Sequence, residues 1–173
     1  MELREVIGPE ELRAVVAGIA ARLDEDYRGK TPVFVGALKG AFIFMADLVR
    51  MMETPVEVEF IRASSYGDSC ESSGMVCISD IGGTDLSGRD VVVVEDIVDT
   101  GLSLVAIRQA IEAKNPASVR TCALLDKPSR RRVEVVPDYV GVSVEDLFLV
   151  GYGLDMAERH RGLKGIYEVV GCP

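Results

Sequence analysis

The sequence predicts an α/β fold in which a twisted, mostly parallel sheet is flanked by helices, and two observations lead to this class. Short apolar runs are followed by helical patterns, as where Pro32–Ala37 precedes Ala41–Met52, and this is the strand-turn-helix unit of a parallel sheet. The run Val91–Val94 is apolar throughout instead of alternating, which is typical of a central strand buried on both faces. At 173 residues the chain is long enough for one sizeable core, so we expect a single domain.

The N-terminal part predicts one helix and one outer strand besides the first strand-turn-helix unit. Pro9, followed by acids, predicts an amphipathic helix that runs to about Leu23. The acids Asp24–Asp26 are then expected to form a solvated face or a turn. The run Val56–Ile61 alternates before it becomes apolar, which favours a strand nearer the sheet edge.

A run rich in Ser and Gly, Ser64–Gly74, follows that strand. Such a composition buries little apolar surface, so it indicates a mobile loop, and the residues alone favour a plain flexible hairpin loop. Met75–Ile78 then predicts a returning strand. A polar turn at residues 81–90 leads back to the buried strand Val91–Val94.

The buried strand Val91–Val94 ends in two acids, Glu95 and Asp96, before a turn and the helical pattern Leu102–Ala113. Open α/β sheets bind ligands at the carboxyl ends of their strands, and a helix N-terminus offers unpaired N–H groups to a phosphate. The alternative is that the acids are solvated and that a residue of the turn, Asp99 or Thr100, only caps the helix. Because a cap does not require a preceding acidic pair, the pattern favours a ligand site.

Two further segments are expected at the same edge of the sheet. Ser118–Leu125 predicts another buried strand with Lys127 at its carboxyl end, whereas Arg130–Arg132 is expected to be a solvated or oligomer-facing patch. Phe148–Asp155 reads as a late apolar strand that closes on Gly-Tyr-Gly and an acid, and Gly165–Val170 as a short final strand.

Composition excludes several classes of protein. A net charge of −9 argues against a protein that binds long stretches of nucleic acid. No run approaches the roughly 18 apolar residues of a membrane span, and the first residues lack the layout of a signal peptide, so we expect a cytoplasmic protein. The cysteines form no CxxC pair and, with one histidine in the chain, no zinc-ligand pattern; we expect thiols in a reducing compartment at Cys70, Cys77, Cys122 and Cys172.

The sequence VEDIVDTG at residues 94–101, with Ser103 after it, resembles the phosphoribosyl pyrophosphate signature of the type I phosphoribosyltransferases, and most of all their hypoxanthine-guanine branch. The resemblance extends from about Val33 to Tyr167. It implies the type I fold as one domain over residues 1–173. That domain would have a core at about 30–150, a hood made of the N-terminal segment and about 147–173, and a flexible lid at about 64–76.

The resemblance also implies roles around the sugar. Asp99 would lie near the purine N7 and handle a proton, while Glu95 and Asp96 would meet the ribose hydroxyls and Mg²⁺, with Asp155 as a further ligand to the metal or contact to the ring. The hydroxyl and amide groups that would hold the 5-phosphate belong to Thr100, Gly101, Leu102 and Ser103. Leu102 departs from several relatives, which carry Lys there, so one cationic contact is missing.

Pyrophosphate and lid residues are implied in the same way. Leu38, Lys39 and Gly40 fit neither the dinucleotide-binding fingerprint nor the P-loop spacing. They resemble instead the family's pyrophosphate loop, whose Leu-Lys peptide is commonly cis. Arg161 resembles the family's pyrophosphate-contacting arginine. Ser65 and Tyr66 match the Ser-Tyr pair of the family's lid, which would exclude water from a reactive cation.

The resemblance also implies the purine side of the site, through two segments. Lys127 would donate to the purine O6, Phe148 would stack on the base, and backbone groups near Leu149 would read its edge. A lysine donor favours a 6-oxopurine, because the 6-amino group of adenine would place donors against donors. The resemblance therefore implies a hypoxanthine, and also guanine, phosphoribosyltransferase that uses phosphoribosyl pyrophosphate and Mg²⁺ and assembles as a homo-oligomer, a dimer or tetramer.

Three alternatives stay open at this point. Xanthine- or adenine-preferring relatives are disfavoured by the segment Phe148–Asp155. An RNA-binding regulator that has this fold without catalysis is disfavoured by Asp99, by the pair Ser65 and Tyr66, and by the acidic charge. A plain nucleotide-binding α/β module is disfavoured because the sequence has neither of the usual glycine signatures.

Overall fold

A computed structural model describes residues 2–65, 76–79 and 82–171 of the chain. Their helices are α1 (Pro9–Asp26), α2 (Phe42–Met51) and α3 (Leu102–Glu112), with a 3₁₀ turn at Pro128–Arg130. Their strands are β1 (Glu2–Ile7), β2 (Val33–Leu38), β3 (Glu57–Ser65), β4 (Val76–Ser79), β5 (Asp90–Val98), β6 (Ser118–Asp126), β7 (Tyr139–Ser143), β8 (Leu149–Val150) and β9 (Ile166–Val170).

The main sheet has six strands in the order β4-β3-β2-β5-β6-β7. All neighbours run parallel except β3 and β4, which are antiparallel. Alternate residues of β5 belong to different cores: Val92 and Val94 join the cluster that contains α1 and α2, whereas Val91 and Val93 join the cluster that contains α3. The sheet is therefore covered on both faces, which confirms the predicted α/β class and the predicted central strand.

A smaller antiparallel sheet, β1-β9-β8, is built from the residues that were assigned to the hood. Strand β1 was not predicted, although it pairs with β9 from Glu2 opposite Val170 to Ile7 opposite Ile166. Strand β7 was not predicted either. The division of the chain into one domain with a core, a hood and a lid stays a prediction.

The first helix is longer than predicted, and its last turn contains the acids that were expected to be solvated. Glu25 and Asp26 are exposed there, as expected, and Asp24 is half-buried. Asp24 accepts hydrogen bonds from the backbone N–H groups of Glu53 and Thr54, at 3.0 and 2.8 Å. Asp26 accepts one from Arg120 at 2.7 Å. Both carboxylates thus join the end of α1 to distant parts of the chain.

Among the described residues, no helix is long and apolar enough to cross a membrane, and the cytoplasmic location stays a prediction. Cys122 carries a free thiol in the core, and burial raises its pKa. Cys70 and Cys172 lie outside the described residues, and of Cys77 only the backbone is described.

Candidate active site

The candidate site lies where the two central strands of the main sheet separate. β2 and β5 pair from Val33 opposite Val91 to Gly36 opposite Val94. Beyond that point β2 continues its pairing with β3, and β5 continues with β6. The connections after β2 and β5 therefore lead to opposite sides of the sheet, which makes this a topological switch point, the usual ligand site of an open α/β sheet.

The turn between β5 and α3 encloses a cavity of about 190 Å³. Gly101 is the N-cap of α3 with φ = 84°, a left-handed conformation that glycine adopts without steric cost. No side chain caps the helix there, so neither Asp99 nor Thr100 is the N-cap residue. Thr100 Oγ1 accepts only a long hydrogen bond, 3.4 Å, from Leu102 N. The cavity is lined by residues 95–101, Ser103 and Leu104.

The acidic pair, Glu95 and Asp96, is part of the lining of that cavity. Glu95 is 7% exposed, and none of the described side chains donates a hydrogen bond to it. Burial, together with the nearby Asp96, raises the pKa of Glu95 well above its usual range. Burial also raises the pKa of Asp96 to about 6, against the opposing effects of the Ile97 amide and Arg161. A cation or a hydroxyl donor bound beside these carboxylates would therefore favour the ionised form of both.

These carboxylates fit a hard divalent cation, because Mg²⁺ takes oxygen ligands and is commonly held by one or two carboxylates plus substrate oxygens. The third predicted ligand, Asp155, is engaged elsewhere. Its Oδ1 lies 2.8 Å from Arg161, and its Oδ2 accepts a hydrogen bond from Glu158 N at 2.8 Å. Within the described part of the chain, no group of three metal-ligating residues is preassembled.

The loop after β2 lies against Asp96. Its Leu38–Lys39 peptide is cis. A Cβ on Gly40 would overlap the Asp96 carboxylate, so any other residue there would force that carboxylate to move. The loop at Gly153 approaches from the other side, and a Cβ on Gly153 would overlap the carbonyl oxygen of Gly40. The three segments therefore meet at one backbone position.

Two cations proposed for pyrophosphate converge on an acid that the sequence reasoning missed. Lys39 Nζ lies 2.9 Å from Glu158 Oε2, and Arg161 NH2 lies 3.3 Å from the same oxygen. Arg161 also donates to the carbonyl of Gly153 at 2.7 Å, while its buried Nε has no hydrogen-bond partner among the described residues. Lys39, and then Arg161, lower the pKa of Glu158.

The purine-side residues lie at the carboxyl end of β6 and around β8. Lys127 is 6% exposed, and its Nζ donates to the carbonyl of Leu147 at 2.6 Å. The backbone N–H of Lys127 donates to Val98 O at 2.9 Å, so this loop contacts the end of β5. Phe148 is an exposed aromatic residue, and Leu149, the first residue of β8, is buried.

The arginines at 130–132 were expected to be a solvated or oligomer-facing patch, and that expectation was wrong for Arg131, whereas Arg130 and Arg132 are exposed. Arg131 donates to the carbonyls of Val98 and Asp99 at 2.9 and 2.6 Å, and it forms a short ion pair with Asp126. Arg130 Nε lies 3.1 Å from Asp99 Oδ1. Both side chains hold the end of β5, because their carboxylate and carbonyl partners lie there and at the end of β6.

Of the two lid residues, Ser65 ends β3, where its backbone pairs with that of Val76. Tyr66 lies outside the described residues, as does most of the predicted lid.

Comparison with known proteins gives consistent findings. Residues 8–157 match the family described as phosphoribosyl transferase domain. The chain is 44% identical over 169 residues to a hypoxanthine phosphoribosyltransferase of Haemophilus influenzae, covering 95% of this chain and 94% of that protein. It is 42% identical over 161 residues to a hypoxanthine-guanine phosphoribosyltransferase of Bacillus subtilis, covering 93% and 89%.

Similar solved structures include a hypoxanthine-guanine phosphoribosyltransferase from Bacillus anthracis, crystallised with a HEPES molecule in its active site. Its TM-score is 0.92 at 40% sequence identity, covering 98% of this chain and all of that one. A hypoxanthine phosphoribosyltransferase from Staphylococcus aureus gives a TM-score of 0.91 at 36% identity, covering 96% and 90%.

Proposed function

This chain belongs to the phosphoribosyltransferase family, and from that premise we propose that it is a hypoxanthine and guanine phosphoribosyltransferase of purine salvage. It transfers the 5-phosphoribosyl group of phosphoribosyl pyrophosphate to N9 of a 6-oxopurine, which gives IMP or GMP and pyrophosphate. The observation that carries the proposal is the cavity at the switch point, where the buried Glu95 and the half-buried Asp96 lie beside the N-terminus of α3. The names of the similar proteins support the choice of base.

The sugar and its 5-phosphate are held by the turn after β5. The backbone amides and hydroxyls of Thr100, Gly101, Leu102 and Ser103 bind the phosphate, because the positive end of a helix and its unpaired N–H groups favour an anion. Glu95 and Asp96 accept hydrogen bonds from the ribose hydroxyls. They would also hold Mg²⁺, which when bound neutralises part of the charge on the substrate phosphates. Asp155 would be a further ligand once Arg161 no longer pairs with it.

The leaving pyrophosphate is held by the loop Leu38–Gly40 and by Arg161. As the bond from C1 to pyrophosphate breaks, the sugar becomes cation-like and the pyrophosphate gains negative charge. Cations close to the pyrophosphate stabilise that charge. On the purine, Lys127 donates to O6, Phe148 stacks on the ring and the backbone at Leu149 contacts its edge. The ring nitrogen N9 attacks C1 while a proton leaves another ring nitrogen, and Asp99 accepts or orients that proton.

The test is the release of pyrophosphate from phosphoribosyl pyrophosphate with hypoxanthine, guanine, xanthine and adenine, measured side by side in the presence of Mg²⁺. We expect turnover with the first two bases. No release with any base would overturn the proposal and favour a regulator without catalysis. A homo-oligomer of two or four copies stays a prediction, which sedimentation of the purified chain would test.

Replacing Lys127 with alanine is expected to reduce base discrimination. The ammonium is the donor that suits O6, so its removal should lower the ratio of kcat/KM for hypoxanthine to that for adenine by about tenfold or more, as for a lost charged hydrogen bond. Lys114→Ala, which changes an exposed lysine beyond α3, is the control. An unchanged ratio in Lys127→Ala would refute the assignment of Lys127.

Replacing Glu158 with glutamine is expected to tighten pyrophosphate binding. Glu158 forms ion pairs with Lys39 and Arg161, the two cations proposed for the leaving group, and these pairs must break when pyrophosphate binds. Glutamine keeps the shape without the charge, so the Kd for pyrophosphate measured by calorimetry with Mg²⁺ should fall about threefold, a change of the size expected for exposed ion pairs. Glu112→Gln, which removes another exposed ion pair, with Arg108 on α3, should leave the Kd unchanged. Weaker binding in Glu158→Gln would contradict the assignment.

A further inference from the structure

A chain of alternating charges joins the two residues proposed to read the purine. Arg130 Nε donates to Asp99 Oδ1 at 3.1 Å, and Arg130 NH1 donates to Asp146 Oδ2 at 3.4 Å. The other oxygen of Asp146 lies 3.8 Å from Lys127 Nζ. The guanidinium therefore stands between the group assigned to the N7 side of the base and, through one carboxylate, the group assigned to O6.

Arg130 is fixed relative to Asp99 by the backbone around it. It ends the 3₁₀ turn Pro128–Arg130, and its N–H donates to Lys127 O at 3.1 Å. The next residue, Arg131, binds the carbonyls of Val98 and Asp99. These bonds hold the turn against the end of β5, so the contact between Arg130 and Asp99 is set by the fold.

This network contributes little to folding. The side chains of Arg130, Asp99 and Asp146 are 46%, 39% and 52% exposed, and ion pairs with that exposure add little stability because water screens them. Their geometry is more informative. A planar guanidinium holds a carboxylate in a defined orientation, and Arg130 does so through Oδ1, which leaves Oδ2 of Asp99 for the ring proton.

We propose that Arg130 is a positioning residue, which orients Asp99 toward the purine and sets its spacing from Lys127 through Asp146. The inference rests on the proposed function, because it assigns Arg130 a role through Asp99. It gives the arginine no contact with the substrate. Its effect should therefore appear in turnover and disappear when Asp99 can no longer take a proton.

The test compares Arg130→Met, which keeps the apolar stem without the charge, with Asp99→Asn and with the double variant. We expect Arg130→Met to lower kcat with hypoxanthine about tenfold, at the lower side of what a positioned acid-base group contributes, with KM for phosphoribosyl pyrophosphate nearly unchanged. Arg130→Lys should recover part of the loss. In the Asp99→Asn background, Arg130→Met should cause no further loss, because residues that act as a unit are not additive.

The matched control is Arg108→Met, which removes an ion pair with Glu112 of similar exposure on α3 and should leave kcat unchanged. An unchanged kcat in Arg130→Met would overturn the inference. So would the same fold-loss in both backgrounds, because Arg130 would then act independently of Asp99. If the wild-type chain released no pyrophosphate, the proposed function itself would fail, which separates the two outcomes.

Discussion

Asp99→Asn is expected to lower kcat by about 100-fold or more, within the range of 10² to 10⁴ that a general base contributes. Asparagine has nearly the shape of aspartate, and its carbonyl oxygen can still accept the hydrogen bond from Arg130, so the turn before α3 should keep its conformation. The amide, however, cannot take a proton from the purine. The loss should therefore fall on turnover and leave the affinity for phosphoribosyl pyrophosphate almost unchanged.

Calorimetry would give the Kd for phosphoribosyl pyrophosphate, and steady-state assays would give kcat with hypoxanthine. Asp85→Asn serves as the control, because Asp85 accepts a hydrogen bond from Ser87 N in an exposed turn before β5. Equal losses of affinity and turnover in Asp99→Asn would remove the proton-handling role. They would leave a purely binding role for this carboxylate.

Gly153→Ala is expected to disrupt the site at the loop after β2. Gly153 has φ = 106°, and an added Cβ would overlap the carbonyl oxygen of Gly40, which is backbone and has no rotamer by which to move away. Overpacking costs about 1–3 kcal/mol, and the left-handed conformation adds about 1–2 kcal/mol. Because the displaced segment is the loop proposed to hold pyrophosphate, kcat/KM for phosphoribosyl pyrophosphate should fall by about 100-fold, as for a misplacement on the order of 1 Å.

Gly29→Ala separates the two causes. Gly29 also has a positive φ, 76°, but nothing lies within 4 Å of the position where its Cβ would be. Its unfolding free energy, measured in urea, should therefore fall only by the conformational part, about 1–2 kcal/mol, with kcat/KM unchanged. If Gly153→Ala behaved like Gly29→Ala in both measurements, the close approach of Gly153 to Gly40 would not matter for activity.

The central part of the fold and of the site followed from local pattern. Val91–Val94 carry β-branched residues at consecutive positions, so both faces of β5 had to be buried, and the clusters on the two faces confirm this. Parallel strands end at one edge of a sheet, so Lys127 was expected near the end of β5. Its backbone bond to Val98 confirms that placement, and the family match confirms the resemblance drawn from residues 94–101.

Most of the contacts that could not be predicted join residues far apart in the chain. Arg130 and Arg131 look like a solvated run in the sequence, because nothing local indicates that Asp126 and the end of β5 face them. Glu158 lies in a turn with positive φ, and only the fold brings it to Lys39. Strand β1 contains charged residues among its apolar ones, and its partner β9 lies at the other end of the chain.

The strand order has a practical meaning for anyone who wishes to retarget the chain to another nucleobase. Apart from Arg161 and Asp99, the residues assigned to sugar and pyrophosphate follow β2 and β5, whereas those assigned to the base follow β6 or lie around β8. Libraries of variants can therefore be confined to the second group. Arg131 and Asp126 should be left unchanged, because their ion pair joins the end of β6 to the residues after β5. Replacing Arg131 would also remove the side chain that binds the carbonyl of Asp99.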